Sequence, residues 1–404
     1  MIERTLYRDV WKQLSGFKSM LLLAGPRQAG KTTFAESLSA GRDAFYLNYD
    51  IPEHRTRLLQ NPAFYHEVNR TRQEPPLVVM DEIHKLPKWK NYLKGVYDRD
   101  KEKFVFLVLG SGRLEVFRRG GDSLAGRYLM FHLWPLTVAE LAGQRKDMEV
   151  FIKNPLTLDA PEQPAVDMWT NLSRYSGFPE PYVKQSDSFR SVWSMTYHRQ
   201  IIQDDIREHY TVLKAGEMSL LLDLLPLKVG SPVAMDNLAG DLQVAPDTVK
   251  SWLLMFDAFY LTFMIRPWTR KVSRAITKMP KVYFFDYVRI ADPGARFENM
   301  VALELYRAVH LWNDLGAGPF ALHYLRDREK REVDFLVVRS GQPFLLIECK
   351  RGDTRVSPSL AKFQRELQVP AVQLVEKLAG FRRIETDNHP VLVAPAAQWL
   401  AQLP

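Results

Sequence analysis

Residues 21–33 read Leu-Leu-Leu-Ala-Gly-Pro-Arg-Gln-Ala-Gly-Lys-Thr-Thr, and no other stretch limits the fold so tightly. The apolar run ending at Gly25 predicts a buried strand, and the pattern opening at Phe34-Ala35-Glu36-Ser37-Leu38 predicts a helix. Between them Gly25, Gly30, Lys31 and Thr32 complete G-x-x-x-x-G-K-[ST], a loop whose backbone N–H groups cradle phosphates. The glycines allow the tight turn, and the helix N-terminus adds partial positive charge. The candidate nucleotide-binding residues are therefore Gly25, Pro26, Arg27, Gln28, Ala29, Gly30, Lys31, Thr32 and Thr33. Lys31 is expected to reach the β- and γ-phosphates of ATP, and the Thr32 hydroxyl to hold Mg²⁺.

Around this loop five β-like runs, at residues 20–24, 44–48, 77–80, 104–109 and 128–133, alternate with helical patterns. That alternation predicts an α/β fold, a parallel sheet covered on both faces. The third run ends in Met80-Asp81-Glu82. A carboxylate at the carboxyl end of a buried strand suits a magnesium partner, so Asp81 is expected to act through Thr32 and water. Glu82 is expected to be the general base that polarises the attacking water. The fourth run ends in Gly110-Ser111-Gly112, which makes Ser111 a candidate γ-phosphate sensor. Arg127, just before the fifth run, is the candidate for stabilising transition-state charge in cis or from a neighbouring subunit. Arg113, Arg118 and Arg119 compete with it.

In order, these motifs are Gly-Pro-Arg-Gln-x-Gly-Lys-Thr, Asp-Glu-Ile-His with Pro87 and Trp89, Gly-Ser, Leu-x-Gly-Arg, and Trp134-Pro135-Leu136 with Glu140-Leu141. The series resembles the prokaryotic AAA+-type P-loop ATPases that carry a C-terminal domain of unknown function. The resemblance covers nearly the whole chain. It implies ATP hydrolysis and, since such modules often form rings, a homo-oligomer. Gly112 departs from the pattern, because relatives more often place a second small hydroxyl residue there.

A chain of 404 residues is long for one core and predicts about two to four domains. Four are expected: an ATPase core at 1–140, a helical lid or connector at 141–215, a winged helix at 216–285 and a nuclease-like domain at 286–404. In the connector, Tyr175-Ser176-Gly177-Phe178-Pro179-Glu180 is similar to the family's Gly-Phe-Pro-Glu turn. Residues 197–206 follow as a helix with Tyr197, Ile201, Ile202 and Ile206 on one face. Gln203 stands where relatives tend to have arginine, which removes that segment as a source of a trans-acting arginine.

Residues 235–242, the turn 243–245 and residues 246–256 give helix, tight turn, helix. In a winged helix the second of these can enter a major groove. A β-like tail at 260–265 leads into Arg266, Arg270, Lys271, Arg274, Lys278 and Lys281, interleaved with Trp268. Such a ribbon suits phosphate contacts with DNA, while the net charge of +8 favours an anionic partner without naming it; nucleic acid is the commonest, and solubility alone also accounts for a basic surface. Against this, the recognition helix offers Asp247, Thr248, Lys250 and Ser251, and winged helices also dock proteins.

Further on, the β-runs 332–337 and 344–350 carry Asp334, Glu348 and Lys350. Glu348 and Lys350 share a strand face, and a hairpin would bring Asp334 beside Glu348. This pattern resembles the PD-(D/E)xK nuclease core, with Glu298 matching its first-helix acid. The resemblance implies Mg²⁺-dependent phosphodiester cleavage, with Glu298, Asp334 and Glu348 on the metal and Lys350 orienting water. The other reading is a nucleotide-switched regulator or scaffold whose C-terminal domains dock protein partners without cutting nucleic acid.

No apolar run approaches the roughly 18 residues that span a bilayer, so no membrane is expected. The single cysteine, Cys349, rules out an internal disulfide framework and suits a reducing cytoplasm.

Overall fold

The structure, a computed structural model, describes residues 2–110, 124–159, 163–207, 210, 214–269, 279–385 and 390–404. These form two compact units, 1–135 with 258–260 and 136–257 with 261–404.

The first unit is built on five parallel strands: β1 (Met20–Ala24), β2 (Ala44–Asn48), β3 (Leu77–Asp81), β4 (Val105–Leu109) and β5 (Leu129–His132). Their order is β2-β3-β4-β1-β5. Every residue of β1 and β3 is buried, as expected of central strands covered on both faces. Leu23 of β1 and Asp81 of β3 both lie level with Leu109 of β4. The carboxyl ends of these strands therefore share one edge, where ligands bind in open parallel sheets.

In the second unit the helices Ala215–Leu224, Met235–Leu242 and Pro246–Ala258 precede an antiparallel hairpin, β6 (Thr262–Pro267) and β7 (Lys281–Phe284). After the long helix Pro293–Asp314 come β8 (Phe320–Arg326), β9 (Glu332–Arg339) and β10 (Gln342–Lys350). The helix Pro358–Leu367, β11 (Ala371–Val375), β12 (Arg382–Ile384) and β13 (Val391–Pro395) complete the unit. One eight-stranded sheet results, ordered β12-β13-β11-β10-β9-β8-β6-β7. Because β6 pairs in parallel with β8 at Arg266↔His323 and Pro267↔Tyr324, the sheet crosses the expected boundary at 285/286.

Ahead of these elements, the helix Asp187–Gln200 continues into a wider π turn at Ile201–Ile206. Tyr197, Ile201, Ile202 and Ile206 are all buried, in keeping with the expected apolar face. A buried carboxylate fastens this region to the end of β7. Asp286 accepts from the hydroxyls of Ser176 at 3.0 Å and Ser194 at 2.5 Å.

A second buried carboxylate has a measurable consequence. Glu304 accepts the Val138 N–H at 2.6 Å, at the start of the helix Val138–Ala142. Burial pushes its carboxyl up to about 7, with the Arg307 charge and the amides of Val138 and Ala139 only partly offsetting this. The folded protein thus holds this proton more tightly than the unfolded chain does. Stability is fully present below the unfolded value and is lost as pH rises through about 7, by at most ~3 kcal/mol. Glu304→Gln should keep an acceptor and flatten this dependence. Between about pH 5.5 and 8 the urea midpoint should fall further for the wild type than for the variant.

Candidate nucleotide site and the C-terminal carboxylate cluster

The loop after β1 takes left-handed backbone at Gly25 (φ 141°), Gln28 (φ 61°) and Gly30 (φ 94°) before the helix Lys31–Ser39 begins. At Gly25 no side chain fits, because a Cβ would overlap the carbonyl oxygen of Leu133. Lys31 Nζ donates to the carbonyls of Gly25 at 2.8 Å and Pro26 at 2.7 Å, folding back over its own loop. From the amino-terminal side, Arg4 donates to the carbonyls of Ala29 at 2.9 Å and Trp134 at 2.6 Å. A lone arginine ahead of a helix carries no motif, so this brace was invisible in the sequence.

Asp81 closes β3 beside the loop. Its Oδ2 accepts the Thr32 hydroxyl at 2.9 Å and the Tyr46 hydroxyl at 2.7 Å. Sequence reasoning missed Tyr46, which reaches Asp81 only because β2 is the neighbour of β3. Burial, then the Asp81 charge, pushes the Tyr46 phenol above its ordinary range, so it acts as a donor. Glu82 follows in a left-handed conformation (φ 54°). His84 Nε2 lies 3.4 Å and Lys85 Nζ 3.5 Å from its Oε2. Lys85 is itself held by Asp50 at 2.6 Å. Burial raises the Glu82 carboxyl above the usual carboxylate range, with Lys85 and Lys31 working against the rise.

The two remaining expectations for this unit fare differently. Ser111 lies outside the described residues, as do Arg113, Arg118 and Arg119. Arg127 is described, and its place corrects a cis role. Leu129 pairs with Leu21 at the amino end of β1, so Arg127 stands at the sheet edge away from the phosphate loop. There it grips Asp98 with two bonds, Nε to Oδ1 at 2.8 Å and Nη2 to Oδ2 at 3.0 Å.

In the second unit β9 and β10 pair as an antiparallel hairpin, with Ile347 opposite Phe335. Asp334 and Glu348 are thereby neighbours, and Asp334 Oδ2 accepts the Cys349 N–H at 2.8 Å. Lys350 Nζ lies 2.7 Å from Glu348 Oε1. Burial, together with the charges of Glu298 and Glu348, holds the Asp334 carboxyl well above its usual range. Where these acids converge the chain places the ammonium of Lys281, expected instead in the basic ribbon after β6. Lys281 Nζ lies 2.7 Å from Glu332 Oε1, 3.1 Å from Glu298 Oε1 and 3.8 Å from Asp334 Oδ1.

Lys281 is fully buried, so it is not part of a phosphate-contacting ribbon. Trp268 likewise packs against the core of the C-terminal sheet. Arg270, Lys271, Arg274 and Lys278 lie outside the described residues. Among the described residues no cluster of His, Cys, Asp and Glu is arranged to hold a metal. The carboxylates Glu298, Asp334 and Glu348, expected on a metal, are answered by side-chain ammonium groups, and they do not fit that role. One feature points the other way: Glu348 Oε2 is buried without a hydrogen-bond partner.

Among the described residues no helix is long and apolar enough to cross a membrane.

Comparison with known proteins gives matches along most of the chain. Residues 18–142 match an AAA domain, residues 167–287 a domain of unknown function (DUF8612) and residues 293–395 another (DUF4143). Uncharacterized proteins of Mycobacterium tuberculosis (Rv2008c) and Mycobacterium bovis (Mb2031c) are each 24% identical over 400 residues, covering 94% of this chain and 81% of theirs. Among solved structures, the Walker-type ATPase PABY2304 of Pyrococcus abyssi is similar at a TM-score of 0.45 and 13% identity, over 72% of this chain and 95% of that one. The AAA match lies over the phosphate loop and Asp81 and two domains of unknown function follow it, so the chain carries an AAA domain of the P-loop ATPase type with C-terminal domains of unknown function.

Proposed function

We propose that the first unit binds ATP with Mg²⁺ and hydrolyses it, and that nucleotide state controls what the C-terminal half engages. The observation that carries this reading is the meeting of Lys31, Thr32, Asp81 and Glu82 at one sheet edge. To take up the β- and γ-phosphates, Lys31 exchanges the carbonyls of Gly25 and Pro26 for phosphate oxygens. The N–H groups of residues 27–33 supply the rest of the cradle, Pro26 having none to give. Thr32 and, through water, Asp81 would hold Mg²⁺, which offsets charge building on the phosphates. Glu82 takes the proton of the attacking water, and Ser111 senses the γ-phosphate. Arg127, held by Asp98 at the far edge, would serve the nucleotide only of a second copy of the chain.

Tyr46 is a positioning residue in this scheme, since it fixes the Asp81 carboxylate that in turn orients Thr32. A hydrogen bond to a charged group contributes about 1.5–3 kcal/mol. Tyr46→Phe should therefore lower kcat by roughly 10-fold or more and raise the Mg²⁺ concentration for half-maximal turnover. The KM for ATP should stay near the wild-type value. A phosphate-release assay over a Mg²⁺ series reads both effects, and unchanged Mg²⁺ dependence would remove Tyr46 from the site.

The C-terminal half has two readings. The net charge of +8 and the helices Met235–Leu242 and Pro246–Ala258, meeting at a left-handed Gln243, support a winged helix that contacts DNA. The convergence of Asp334, Glu348 and Lys350 supports a nuclease-like fold. The second reading, docking of protein partners without cleaving nucleic acid, is favoured by Lys281 among the carboxylates. Incubation with DNA and Mg²⁺ separates them. Cleavage that disappears in both Asp334→Ala and Lys350→Ala supports a nuclease, and intact DNA supports docking.

A further inference from the structure

Four carboxylates crowd one face of the C-terminal sheet: Glu298 from the helix Pro293–Asp314, Glu332 and Asp334 from β9, and Glu348 from β10. Leaving so much negative charge on buried or half-buried strands is costly unless cations answer it. Lys350, partly exposed, answers Glu348. Lys281 answers the other three, sharing Glu332 with Arg326 (Nη1 to Oε2, 2.7 Å); it is fully buried, with its ammonium 5.5 Å from the centre of the Tyr324 ring.

The position of Lys281 is secured from both sides. Its strand pairs with β6, and its backbone forms an isolated bridge with Pro232, while Val233 N–H donates to the Pro280 carbonyl at 2.8 Å. Its partner Glu298 is fixed as well. Glu298 Oε1 also accepts the Tyr283 hydroxyl at 2.7 Å, and a Cβ at Gly230 (φ 79°) would come within 2.8 Å of its Oε2. The Asp334 oxygens are engaged too, with Oδ2 on the Cys349 N–H and Oδ1 facing Lys281. A magnesium ion binds oxygen at about 2.0–2.1 Å in a near-octahedral shell. An ammonium among the same oxygens occupies that space and opposes a second cation there. The unpartnered Oε2 of Glu348 is the one oxygen left over, and the Lys350 ammonium, 2.7 Å from Oε1 of the same carboxylate, opposes a cation there too.

We propose that Lys281 is a built-in counter-ion standing where a divalent cation would sit at Asp334. The cluster is then a metal-free joint that binds the β6–β7 hairpin to the helix Pro293–Asp314 and β9. This rests on the geometry of the cluster alone and holds whether or not the first unit hydrolyses ATP.

The test uses the full chain and Mn²⁺ alone, without nucleotide. Wild type, Asp334→Asn and Lys281→Met are compared by counting bound Mn²⁺ through its electron paramagnetic resonance and by thermal melting. Wild type and Asp334→Asn should bind Mn²⁺ equally, with no melting shift on adding the ion. Lys281→Met should melt roughly 10 °C lower, as expected when buried charges lose their partner. Mn²⁺ should restore part of that loss in this variant only.

If Lys281→Met does not fold, Lys281→Arg and the double variant Lys281→Met/Asp334→Asn take its place. Arginine should leave the protein folded and indifferent to Mn²⁺. Removing one acid with the cation should recover folding. Mn²⁺ bound by the wild type and lost in Asp334→Asn would overturn the proposal. So would a Lys281→Met protein as stable as the wild type.

Discussion

Lys31→Ala should leave a folded protein with no detectable ATP turnover. The ammonium is the group that follows negative charge onto the β- and γ-phosphates, and truncating one partner of such a contact costs about 2–5 kcal/mol. That corresponds to a loss in affinity or rate of roughly 30- to several thousand-fold. Removing Lys31 also frees the carbonyls of Gly25 and Pro26, so the loop loses its own brace as well as its ligand contact. Calorimetry with Mg²⁺-ATP separates these effects from unfolding, provided the melting temperature is measured alongside. Lys31→Arg should not rescue, because a planar fork cannot replace a compact point charge in a tight loop. Undiminished turnover in Lys31→Ala would remove the phosphate-loop assignment.

Glu82→Gln should separate binding from chemistry. The amide keeps the shape and the contacts toward His84 and Lys85 but cannot accept the proton of the attacking water. General bases contribute typically 10²–10⁴-fold, so turnover should fall by roughly that factor. Affinity for ATP should be kept, and ATP should co-elute uncleaved with the variant. The wild type should also show an acid limb in its rate profile. Glu82 works only when deprotonated, and burial raises its carboxyl, so activity should fall away at a higher pH than for an ordinary exposed carboxylate. Wild-type rates in Glu82→Gln would assign the base elsewhere.

What could be read from the sequence was chiefly what is local. The turn at Gly25–Gly30 follows from spacing alone, and its left-handed backbone appears at both glycines. Tyr46 could not be read, because its approach to Asp81 depends on which strand lies beside β3. Arg127 shows a different limit. Its closeness to β5 in sequence says nothing of the active edge unless strand direction is followed, and a residue preceding a parallel strand lies at the opposite end. Lys281 was grouped with the basic residues around it, although it heads the otherwise apolar strand Lys281-Val282-Tyr283-Phe284. A charge in that setting needs partners, and Glu298, Glu332 and Asp334 are distant in the chain. The π turn at Ile201–Ile206 left no mark either, since both helical periods put the same apolar residues inward.

The pairing of β6 with β8 has a consequence for how this polypeptide can be divided. Severing the backbone between Phe285 and Asp286 would strip β8 of its parallel neighbour and pull Lys281 out of reach of Glu298. The released fragment would carry an open strand edge and an acidic pocket short of its buried ammonium, a combination that invites self-association. Residues on either side of that point must therefore mature together, as one indivisible piece.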